Sequence, residues 1–124
     1  MKPFLFAFLI YTSLIHESDS GAVQLDNNNI DQILADNEFV FINFYADWCR
    51  FSNMLAPIWD EGADKISSEM AGKSVVVGKV DCDKESNLVT RFHITKYPTI
   101  KFEVINSVKF GSHIGARFVH VHCT

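Results

Sequence analysis

Residues 39–61 read FVFINFYADWCRFSNMLAPIWDE. The opening run, Phe39 to Tyr45, is almost continuously apolar. Strands buried on both faces look like this, so it is expected to be a central strand of a partly parallel sheet. After the turn Ala46-Asp47-Trp48, Cys49 begins a helix. Phe51, Leu55, Ile58, Ile66 and Met70 are expected to lie roughly along one of its faces. Pro57 falls inside this helix and is expected to kink it. A cysteine at a helix N-terminus faces unpaired backbone N–H groups and the positive end of the dipole. That favours the thiolate, the reactive species, and Arg50 adds a positive charge if it points inward. Cys49 is therefore expected to be an exposed nucleophile; the bland alternative is a buried, inert cysteine. Three residues on, where a two-cysteine redox site carries its second sulfur, stands Ser52.

Working outward, AVQL is a short strand candidate. NNNIDQILADN follows, with Ile30, Ile33 and Leu34 at helical spacing and Asn or Asp at both ends as caps. Downstream of the long helix, SVVVGKVD is a β-branched strand and KESNLVTRF a short helix. KYPTIKFEVI gives a turn at Tyr97-Pro98 and then a strand. The order βαβαβαβ reads as an α/β fold with helices on both faces of the sheet. Beyond Ile105 the pattern weakens. NSVKFG is a candidate return strand of a hairpin, and GARFVHVHCT alternates more like a strand than a helix.

The 124 residues allow one domain, and the net charge of −4 comes without any basic run or stripe. A nucleic-acid partner is therefore not expected. Residues 1–20 have the layout of a secretory signal peptide. Lys2 precedes an apolar run from Pro3 to Ile15, and Ser18 and Ser20 stand at the positions a signal peptidase prefers. The run is shorter than the roughly 20 apolar residues that span a bilayer. The mature chain is expected to begin near Gly21, with a domain over 21–105 and a divergent tail over 106–124. Secretion would put the three cysteines, Cys49, Cys82 and Cys123, in an oxidising compartment. An odd number leaves at least one thiol free or bridged to another chain.

The segments FINFYADWC, NMLAPIWDE, VDCD and RFHITKYPTIK resemble the thioredoxin superfamily, and more closely its protein disulfide isomerase branch, in order and spacing. The resemblance covers Ala22 to Lys101 and implies a thioredoxin fold, a central mixed sheet flanked by helices. The tetrapeptide Cys49-Arg50-Phe51-Ser52 is similar to that of a monothiol retention chaperone in this branch. The resemblance implies a factor that captures client cysteines early in secretion, in which Cys49, Arg50, Phe51 and Ser52 form the reactive site. Trp48, Tyr97, Pro98 and Thr99 then form the client-binding surface, with Pro98 matching the family's cis-proline. At the position of the family's buried acid stands Asn43, which cannot take up a proton; its alternative role is a core hydrogen bond. The chain departs from the family pattern after Lys101.

Serine cannot form the S–S bond that releases a client. A mixed disulfide on Cys49 must wait for an outside thiol. Covalent holding and limited isomerisation are allowed, while two-electron oxidation or reduction by Cys49 and Ser52 is not. The expected partners are clients with free cysteines and an endoplasmic reticulum oxidase, with no cofactor and no metal. His120, His122 and Cys123 on a short terminal stretch lack the fixed geometry of a metal site. Cys82 reads as a structural thiol, His93 as a surface or packing residue, and Asp60, Glu61 and Asp64 as a solvated helix face. The expected location is the endoplasmic reticulum lumen, with secretion as the alternative because no KDEL-like ending is present. Two other functions stay open: a non-covalent binding module using Trp48, Phe51 and Tyr97, and a truncated product with no independent function.

Overall fold

The computed structural model describes residues 20–105, 119–120 and 123. The leader, the NSVKFG segment and His122 lie outside the described residues. The elements are β1 (Val23–Leu25), α1 (Ile30–Asp36), β2 (Phe39–Tyr45), α2 (Arg50–Glu69), β3 (Val75–Asp81), α3 (Ser86–Arg91), β4 (Thr99–Val104) and β5 (Val119–His120). They build a five-stranded sheet in the order β1-β3-β2-β4-β5. β1 and β2 both run parallel to β3, whereas β4 is antiparallel to β2 and β5 antiparallel to β4.

β2 lies in the centre, as its apolar run requires, and its side chains serve two cores by simple alternation. Val40, Ile42 and Phe44 join Leu25, Ile30, Val80, Cys82, Leu88 and Ile94 on the face covered by α1 and α3. Phe41 turns the other way, towards Ala22, Ala63, Val77, Trp59 and Ile66 beneath α2. Gly78 is needed where β1 pairs with β3: a Cβ there would stand 2.5 Å from Leu25 Cδ1. Its carbonyl accepts the indole N–H of Trp59 at 3.0 Å, tying α2 to the sheet.

α2 is one continuous helix with Pro57 inside it. Its inner face differs from the expected one. Ser52 and Ala63 are buried and Leu55, Trp59 and Ile66 are partly so, while Phe51, Ile58 and Met70 are 38%, 66% and 42% exposed. The acidic residues of α2 are not simply solvated. Asp64 Oδ1 accepts the Gly21 N–H at 2.6 Å, and Asp60 Oδ1 accepts the Ala22 N–H at 3.0 Å. Asp60 also pairs with Lys79 Nζ at 3.0 Å, so one carboxylate joins the start of the domain, α2 and β3. Glu61 fits the surface reading and pairs with Lys65 one turn on.

Ahead of α1, Asp26 and Asn29 cap each other: Asn29 Oδ1 accepts the Asp26 N–H and Asp26 Oδ1 accepts the Asn29 N–H. At the other end Asn37 Nδ2 donates to the Ile33 carbonyl at 2.9 Å. Among the described residues no helix is long and apolar enough to cross a membrane.

Candidate functional site

The β2–α2 junction puts Cys49 at the N-cap of α2. Its N–H donates to the Ala46 carbonyl at 3.0 Å and its carbonyl accepts the Asn53 N–H at 3.1 Å, which fixes the sulfur at the mouth of the helix. Opposite lies the turn before β4, whose Tyr97-Pro98 bond is cis. Cys49 Sγ is 3.4 Å from the Tyr97 carbonyl oxygen.

The sulfur is neither free nor exposed. Cys49 is 0% exposed and forms a disulfide with Cys123, 74 residues further along, at a Cα–Cα distance of 5.8 Å. The expectation of an exposed thiol is thus corrected, and the cause is the end of the chain. β5 pairs with β4, Thr99 opposite His120 and Ile100 opposite Val119. Beyond it, the Cys123 N–H donates to the Tyr97 carbonyl at 3.2 Å. Main-chain pairing along β4 brings the second sulfur past the cis-proline and over the first. Sequence reasoning missed Cys123. Two signals pointed to it: the strand-like alternation before it, and a cysteine count that allowed one internal bridge.

The remaining site residues fall into an inner and an outer set. Ser52 is 2% exposed, and its hydroxyl accepts the Ala46 N–H at 3.2 Å, bracing the loop below Cys49. Pro98 and Thr99 are buried, and Thr99 Oγ1 donates to the Lys96 carbonyl at 2.6 Å, closing the cis-proline turn. Arg50 is exposed. Outside, Trp48 is 62% exposed, with its ring edge-on to Tyr97 at 5.7 Å and its indole N–H donating to Asp83 at 3.2 Å. Phe51, Met54 (56% exposed) and Ile58 continue an apolar ridge along the outer face of α2.

Asn43 sits on the α2 side of β2, in register with Lys79. It is 2% exposed, and its Oδ1 has no hydrogen-bond partner among the described residues. A groove bounded by Gln24, Asn43, Tyr45, Asp47, Ala56, Trp59 and Lys79 reaches it. His93 is exposed and adopts the left-handed conformation, φ 54°, just after α3. Among the described residues no group of His, Cys, Asp and Glu could hold a metal ion.

Cys82 is the free cysteine, and it is buried. Burial, then the charges of Asp81 and Asp83, push its thiol up to about 12. It stays protonated and inert at neutral pH. Burial also raises the Tyr97 hydroxyl, with Cys82 and Asp83 adding to the effect. For Asp60, burial opposes ionisation. The Ala22 N–H and the hydrogen bond and charge of Lys79 outweigh it, so the carboxyl lies below its ordinary value.

A cysteine at a helix N-terminus, facing a cis-proline turn on a mixed sheet with helices on both faces, defines a thioredoxin-fold domain with thiol-based chemistry. The thioredoxin family model matches residues 21–119, and the chain belongs to that family. Endoplasmic reticulum resident protein 44 is 50% identical over 94 residues in Homo sapiens and 46% in Mus musculus, each match covering 75% of this chain and 23% of the relative. Protein disulfide-isomerase 1 of Caenorhabditis elegans is 33% identical over 99 residues, covering 78% of this chain and 20% of that relative. The chain thus spans about a quarter of the length of these curated relatives. Among solved structures, the zinc-bound form of human endoplasmic reticulum resident protein 44 superposes with a TM-score of 0.66 at 46% identity, over 69% of this chain and 24% of that one. The first thioredoxin domain of mouse protein disulfide-isomerase A4 gives 0.62 at 30% identity, over 69% and 60%.

Proposed function

We infer that this chain is a thiol-exchange domain of the early secretory pathway that forms mixed disulfides with client proteins through Cys49, assisting their retention and oxidative folding. One observation carries the reading: Cys49 is held at the N-terminus of α2 against the Tyr97-Pro98 turn, in a position where it forms a disulfide with an extended segment. That segment is the chain's own, and a client cysteine would take the same place once the bridge is open. In the reduced site the first-turn N–H groups favour the thiolate that performs the exchange. Trp48, Phe51 and Tyr97 offer apolar contact beside it.

The leader-like residues 1–20 and the endoplasmic reticulum residence stated in the relatives' names support a lumenal location. Client proteins with free cysteines, and an oxidase of that compartment, are the partners this chemistry needs. The test is Cys49→Ser, followed on non-reducing gels from cells in which thiols are alkylated at lysis. High-mass adducts of the wild type should vanish in the variant; their persistence would place capture elsewhere.

The exposed ridge of Trp48, Phe51, Met54 and Ile58 favours a second reading, a non-covalent binding module. It predicts that Cys49→Ser leaves client binding unchanged, while Trp48→Ala and Phe51→Ser weaken it.

A further inference from the structure

We propose that Cys123 is the resolving thiol of this site, the second sulfur that Ser52 does not supply. The inference rests on the reading of Cys49 as the capture thiol and adds the step that ends capture. Three observations lead to it. The two sulfurs are bonded although 74 residues separate them in sequence. Cys123 is delivered by main-chain contacts, the β5–β4 pairing and its own N–H to the Tyr97 carbonyl, so its approach does not depend on a chance collision of side chains. Among the described residues, no other side chain is seen to do the same: Ser52 is buried as the acceptor of the Ala46 N–H, and Cys82 is buried in the core covered by α1 and α3 and is not bonded to Cys49.

The step balances without an outside oxidant. A client sulfur joined to Cys49 is the starting point. Cys123 gives its proton to solvent and its thiolate attacks Cys49 Sγ. The Cys49–Cys123 bond forms as the Cys49–client bond breaks, and the client leaves as a thiolate that takes a proton from solvent. Cys123 is partly exposed, so solvent reaches the residue whose thiol must lose that proton. The client sulfur is reduced and Cys123 oxidised; where capture began from a client disulfide, the client ends with two thiols and the chain with its internal bridge. A low-molecular-weight thiol such as glutathione, or a client dithiol, returns the chain to the open state. In the bridged state Cys49 is 0% exposed, so the sulfur that has freed one client is closed to the next until the bridge opens.

The test uses the full chain, reduced and freed of reductant, mixed with one equivalent of Ellman's reagent as the stand-in disulfide. Wild type should release two equivalents of thionitrobenzoate and end unlabelled, with peptide mapping showing the Cys49–Cys123 bridge. Cys123→Ser should release one and keep the label on Cys49 at least about tenfold longer. Equal label lifetimes in the two proteins, or a Cys49–Cys82 bridge in the variant, would overturn the proposal and leave capture by Cys49 standing. If neither protein acquires label on Cys49, the capture reading fails, and this proposal with it.

Discussion

Ser52 and Cys82 show how one atom's surroundings decide whether a side chain reacts or only supports. The Ser52 hydroxyl sits in a site closed to solvent and accepts the Ala46 N–H. Ser52→Ala would leave that donor buried and unpaired, at a cost of about 1–3 kcal/mol. The urea midpoint should fall with the slope unchanged, and an unaltered midpoint would show that the contact carries no stability. Cys82 is a sulfur kept out of chemistry by burial and by two neighbouring carboxylates. Its thiol is raised to about 12 in the fold, against about 8.5 for an ordinary thiol. Between those values the unfolded chain binds fewer protons than the folded one, so this contribution to stability falls as pH rises through the window. Urea midpoints should decline above about pH 8.5 in wild type and decline less in Cys82→Ala. Iodoacetamide at pH 8 should leave Cys82 unlabelled until urea is added.

At the level of elements, what could be read in advance depended on how many faces an element buries. β2 was legible because a strand covered on both sides has no polar alternation to interpret, and its apolar run fits only the interior of a sheet. The inner face of α2 was not. Apolar residues occupy two of its faces, with Leu55, Trp59 and Ile66 inward and Phe51, Met54 and Ile58 outward. Both sets fit helical spacing, and the buried Ser52 and Ala63 carry little hydrophobic signal to break the tie. Asp60 was misread for a related reason: a helical carboxylate looks solvated until another element is docked on it. Its depressed pKa means that the clamp on Ala22 and Lys79 is at full strength above the ordinary carboxylate range, about 3.9, and is lost as pH falls through the folded value. Solvent screens this partly exposed pair, so the effect should stay below about 1 kcal/mol. Asp60→Asn should remove that part of the acid sensitivity, measured as the urea midpoint from neutral pH down to about pH 3. An identical acid profile in the variant would mean that the clamp contributes nothing.

Across the whole molecule, the decisive contact joins residues that no local pattern connects. Periodicity reports on neighbours within a turn or two, and a resemblance that ended at Lys101 could not place a sulfur near the end of the chain. Yet the Cys49–Cys123 bond makes the domain, from the mouth of α2 to β5, one closed loop. In the chain-entropy account, cross-linking residues 74 apart restricts the unfolded chain enough to stabilise the fold by about 4 kcal/mol. The oxidised chain should therefore have a clearly higher urea midpoint than the same chain in dithiothreitol. Its m-value should be smaller, because a looped unfolded state exposes less surface. Cys123→Ser should match the reduced wild type and ignore the reductant. Since Ser52 and the Ala46 loop are intact in that variant, the comparison isolates the bridge from the rest of the site. Equal midpoints for the oxidised wild type and Cys123→Ser would show that closure adds no stability. Reduction would then open the site without loosening the domain, and only the release chemistry of Cys123 would remain to account for the bond.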